Sequence, residues 1–128
     1  MHMNREFMLT VISKLEGYGT RLKELHWSAS SHGLHVITDD FRDELSDFED
    51  KLAENYMALD ELIKPGEVKP VLPESESFKK LLEDLRGVLV SIKREIDSDG
   101  MMYSGLCNIV DDFFETVNKY VYLEKITC

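Results

Sequence analysis

The chain has 128 residues, 43% hydrophobic and 31% charged, a balance that suits one globular domain over residues 1–128 and excludes a disordered or low-complexity polymer. Fifteen basic residues against 25 acidic ones give a formal charge of −10, which argues against nonspecific attraction to nucleic acid or an anionic membrane and favours cationic partners. No run approaches the roughly 20 apolar residues of a membrane span, the opening residues lack the form of a secretion signal, and Cys107 and Cys128 make no disulfide framework, so a reducing cytoplasm is the expected setting.

Phe7, Val11, Leu15, Leu22 and Leu25 recur at helical intervals and predict a first helix from about Asn4 to Ala29. Gly17 and Gly19 weaken its middle, where a kink or a close helix contact is expected. Ser30-Ser31-His32-Gly33 reads as a short polar link, with Gly33 as a glycine cap. The second helix, about Leu34 to Ile63, is the most regular: Phe41, Leu45, Phe48, Leu52, Tyr56 and Leu59 form one apolar stripe. Lys64 to Ser75 holds all three prolines and cannot be helical throughout. A third helix fits Phe78 to Ile96, broken by Asp97-Ser98-Asp99-Gly100. The fourth, about Met101 to Leu123, carries Leu106, Ile109, Val110, Phe113, Val117 and Val121. Short, long and short connections between four helices predict an all-α, up-down-down-up bundle with a long crossover between helices 2 and 3.

Opposite the apolar stripe of the second helix, at about 100° per residue, fall His35, Asp39, Asp50 and Glu54. Imidazoles with carboxylates are a ligand set for iron, manganese or zinc. Each i,i+4 pair, His35 with Asp39 and Asp50 with Glu54, stands on adjacent turns and could grip one ion. On spacing alone a solvated acidic face is the commoner meaning of such a stripe. Two features favour ligands. Ser46, Ala53 and Met57 share the face, as a closely packed second helix would require. The two pairs also lie about 22 Å apart along the helix, so one chain cannot bring both to a single metal. An antiparallel copy, related by a two-fold axis near Glu44 and Leu45, can. An isologous dimer with two intersubunit metal sites follows.

These residues resemble the Dps family, the mini-ferritins named for DNA protection in starved cells. The family pattern is a His-Trp pair near the end of the first helix, then His-x3-Asp-x10-Asp-x3-Glu along the second. Here the pair is His26-Trp27, and the second pattern runs His35, Asp39, Asp50, Glu54 with matching spacing. The resemblance implies a ferritin-like four-helix bundle assembled into a hollow dodecamer, with ferroxidase centres between two-fold-related subunits. It implies that His26, His35 and Asp39 from one chain join Asp50 and Glu54 from its partner to bind Fe²⁺. The iron is then oxidised by hydrogen peroxide, or more slowly by oxygen, and stored as ferric mineral. Trp27 is implied to lie close to the iron and to shield or quench reactive intermediates.

Three departures from the pattern matter. Eight residues separate His26 from His35 where the family has eleven, so the first helix or the following turn must be shorter, and His32 becomes an alternative ligand to His26. Asn55 stands where the family commonly has Arg after Ala-Glu, and 128 residues is short for a dodecamer-forming member. DNA binding is not expected: the first 13 residues offer only Arg5 as a permanent cation, and a shell of −10 subunits repels phosphates. The Glu-x-x-His pairs of larger di-iron bundles are absent, as are Cys-x-x-Cys and phosphate-binding Gly-rich loops. The competing expectations are a non-catalytic ferritin-like oligomer with a structural or protein-interaction role, and a zinc- or manganese-binding member that oxidises nothing.

Overall fold

The computed structural model describes residues 4–99 and 104–127. Four helices fill them: α1 (Arg5–Trp27), α2 (His32–Leu59), α3 (Phe78–Asp99) and α4 (Ser104–Ile126). Asn4 caps α1, its side chain accepting from the Phe7 amide at 3.2 Å. Ser31 caps α2 in the same way through the Leu34 amide at 3.1 Å. That cap moves the start of α2 to His32. Gly33 therefore lies inside the first turn of α2 rather than ending α1, whose C-cap is Ser28. Without a side chain, Gly33 lets Thr127 from the C-terminal end of α4 come close.

Other expected boundaries shift too, and α4 runs on past Leu123 to Ile126. α2 stops at Leu59 instead of Ile63, because Asp60 takes an extended conformation and its carboxylate accepts from the Glu61 amide. Leu59 is consequently exposed and drops out of the apolar stripe. α3 continues through Asp97 and Ser98 to Asp99, since isolated polar residues lower helix propensity without breaking a helix. The expected break at Gly100 and the start of the fourth helix at Met101 lie outside the described residues.

The apolar stripes meet in one core. Phe41, Leu45, Phe48, Leu52 and Tyr56 of α2 are buried with Met8, Leu15 and Leu22 of α1, Leu81, Leu85, Leu89 and Ile92 of α3, and Leu106, Val110, Phe113 and Val117 of α4. Aromatic rings join three helices: Phe48 stacks on Phe113 at 4.1 Å, and Phe41 meets Tyr120 at 4.9 Å and Phe78 at 5.7 Å. α1 packs chiefly on α2, α2 on α4 and α4 on α3, with a thinner α1–α3 seam that closes the bundle.

The crossover is stitched along α1. Arg5, at the start of α1, donates to the Leu62 carbonyl at 2.9 Å and pairs with Glu67 at 2.7 Å. Further ties follow about every two turns: the Lys69 amide donates to Ser13 Oγ and the Val71 amide to Ser13 O, and Arg21 Nη1 donates to the Ser75 carbonyl. The segment therefore climbs from the first turn of α1 toward its last, and α3 begins at the end of the bundle where α2 also begins. That makes α2 and α3 parallel and the topology up-down-down-up, the connectivity of ferritin-like bundles. Gly17 explains how the strap lies so close. A Cβ there would overlap the Val71 carbonyl, so the close contact expected at this glycine is made by the crossover backbone and not by a helix.

Candidate metal centre

The corner between α1 and α2 is four residues long, from Ser28 to Ser31, and it sets the last turn of one helix against the first turn of the next. His26 and His35 meet there. Their rings stack with centroids 3.8 Å apart and planes 20° from parallel. His26 Nδ1 lies 2.6 Å from the His35 carbonyl oxygen, and His35 Nδ1 lies 2.9 Å from the His26 carbonyl oxygen. A carbonyl only accepts, so each Nδ1 must carry the hydrogen. In the neutral rings each Nε2 is then the lone-pair nitrogen. Metal-bound histidines are commonly held in this way, with the other ring nitrogen donating to a main-chain carbonyl.

Thr38, fully buried one turn on, braces the same turn of α2 by donating its hydroxyl to the Leu34 carbonyl at 2.8 Å. The eight-residue gap between the two histidines is thus accommodated by ending α1 at Trp27 and capping α2 at Ser31. His32 stands farther off, with its ring centroid 6.5 Å from that of His35. Of the two alternatives, His26 is the one the fold pairs with His35. Trp27, the next residue, is 74% exposed.

Asp39 follows His35 by one turn and is half-buried, its Oδ1 accepting from Arg42 Nη2 at 3.1 Å. Asp50 and Glu54 are exposed on the far half of α2. Ser46 is exposed between the two halves, and Ala53 and Met57 are half-buried beside them. Among the described residues of one chain, no three His, Cys, Asp or Glu side chains converge closely enough to hold an ion. The structure thus joins His26 to His35, leaves Asp39 one turn away, and keeps Asp50 and Glu54 apart from all three.

Beside the stripe, a groove of about 250 Å³ runs between α1 and α2, lined by Glu16, Gly19, Lys23, Arg42, Ser46 and Glu49 among others. Burial pushes the Glu49 carboxyl up to about 9, helped by its hydrogen bond to Glu16 and by the charges of Glu16 and Asp50. The Glu49 carboxyl thus keeps its proton in the single chain. The Arg42 contact was readable in principle, because Arg stands three residues after Asp on the same helix. The meeting of Glu16 with Glu49 joins two helices and has no local signature.

No protein-family model, curated protein or solved structure matches this chain. No helix among the described residues is long and apolar enough to cross a membrane.

Proposed function

We propose that the chain is a Dps-like ferroxidase and iron store, in which two-fold-related copies bind Fe²⁺ between them, oxidise it with hydrogen peroxide or oxygen, and hold the ferric product inside a hollow assembly. The observation that carries this reading is the reciprocal histidine pair. His26 and His35 are fixed as Nδ1–H tautomers with Nε2 left as the donor atom, on the same side of α2 as Asp39, Asp50 and Glu54. Carboxylates and imidazoles together suit this substrate: they hold Fe²⁺ and stabilise the more highly charged Fe³⁺. Oxidation by peroxide balances as two Fe²⁺ and two protons consumed per hydrogen peroxide, yielding two Fe³⁺ and two waters. The net charge of −10 supports attraction of cations toward the assembly and argues against DNA as a partner. Zinc or manganese would meet the same donor set.

A second reading has its own observation. Arg42 pairs with Asp39 and places a fixed cation beside a ligand carboxylate, as a structural oligomer without iron turnover would tolerate. Adding Fe²⁺ anaerobically and then hydrogen peroxide separates the two. Ferric absorbance is followed while light scattering reports assembly size. Rapid oxidation that disappears in the Asp50→Ala, Glu54→Ala double variant is the result expected of the ferroxidase. Oxidation no faster than in protein-free buffer, from an intact oligomer, would leave the structural reading standing.

A further inference from the structure

The groove between α1 and α2 holds charges that are poorly matched within one chain. Glu16 of α1 and Glu49 of α2 face one another across it, and Arg42 of α2 lines the same groove. Arg42 reaches Asp39 through Nη2, while its Nε is buried and, among the described residues, has no hydrogen-bond partner. A buried guanidinium N–H that finds no acceptor among the described residues and two carboxylic side chains in the same groove are complementary in charge and hydrogen bonding.

We propose that this groove is half of a self-complementary contact between two copies of the chain, in which Arg42 of each copy reaches the Glu16–Glu49 pair of the other. The inference rests on the two-fold reading given above and specifies what holds that interface together. The register supports it. A two-fold axis near Glu44 and Leu45, chosen only to bring Asp39 level with the partner's Asp50, sets Arg42 within about 3 Å, along the helix axis, of the partner's Glu49. Arg42 and Glu49 lie on the same shoulder of α2, the one turned toward α1. An axis lying in the interface and perpendicular to the helices keeps that shoulder on one side in both copies. One Arg-to-Glu contact therefore occurs twice, as an isologous interface demands.

Opposite charge reversals test this without iron. Arg42→Glu places acid against acid at both contacts of a homodimer, and Glu49→Arg places base against base. Each variant alone is expected to weaken self-association about 30-fold or more in sedimentation velocity, with helical circular dichroism unchanged. A mixture of the two restores both contacts in the heterodimer. Native mass spectrometry, with one variant isotopically labelled, should then show a 1:1 heterodimer and few homodimers. Variants that dissociate singly but fail to pair when mixed would overturn the contact as a structural side effect. Variants that associate like the wild type would overturn it too, while leaving the two-fold iron site intact as a reading. A wild-type chain that stays single at about 100 μM would remove both.

Discussion

His26 and His35 each bind the other's main chain, so neither ring can turn without releasing its own hydrogen bond and unstacking from the other ring. That mutual lock is what a metal site needs from its imidazoles, because a ring already held in one tautomer loses little freedom on binding an ion. The tautomer can be read directly. Long-range proton–nitrogen spectra of the metal-free protein near pH 8 are expected to show Nδ1 protonated and Nε2 bare in both residues. Zn²⁺ titration should then perturb the Nε2 signals. A spectrum with Nε2 protonated in either ring would contradict the geometry. The pairing was only partly readable from the sequence. His26-Trp27 and the His35, Asp39, Asp50, Glu54 spacing can be seen, but the eight-residue gap leaves His32 as a possible substitute for His26. Which of the two stacks on His35 depends on where α1 ends and α2 begins, and the Ser28 and Ser31 caps fix those ends. The Glu16–Glu49 pair stays hidden for a different reason: the two residues meet only once α1 lies alongside α2.

At the scale of elements, apolar periodicity carried the most information, since burial of a continuous stripe is the main force that fixes a helix in a bundle. The α2 residues from Phe41 to Tyr56 that were expected in the core are buried there. Helix ends were less legible because they turn on caps worth about 1 kcal/mol each, as the shifts at Gly33 and Leu59 show. The crossover shows the limit most plainly. Its prolines announced an irregular segment, yet nothing local in the sequence said that it would be strapped to α1 through Arg5, Ser13 and Arg21. Gly17 is where that strap is most easily tested. Gly17→Ala forces a methyl into the Val71 carbonyl, and rigid backbone on both sides leaves little room to yield. The expected loss is about 1–3 kcal/mol of unfolding free energy in a urea titration. Gly87→Ala is the control. Its Cβ would meet nothing within 4 Å, so the same added methyl should instead gain up to about 1 kcal/mol from helix propensity. If both variants were stabilised alike, the crossover would not lie against α1 as described.

At the scale of the whole molecule, the proposed site has a property that no single-chain centre shares: its two halves can be supplied by different polypeptides. His35 and Asp39 stand near one end of α2, with Asp50 and Glu54 toward the other, and an antiparallel two-fold makes each centre from opposite ends of two chains. Consider a His35→Ala chain mixed with an Asp50→Ala, Glu54→Ala chain. Every homodimer is defective at both centres. In a mixed dimer, one centre combines the damaged ends of both chains, and the other combines the intact histidine end of the double variant with the intact acidic end of the His35→Ala chain. Random pairing of equal amounts makes half the dimers mixed, each with one working centre of two, so peroxide-driven iron oxidation should return to about a quarter of the wild-type rate after the chains are dissociated and reassociated together. The measurement needs only the rate of ferric absorbance for each variant alone and for the mixture. A mixture no faster than its components would place the chemistry within one chain, or nowhere. Recovery to about a quarter would require that the iron sit between copies, whatever the size of the final shell.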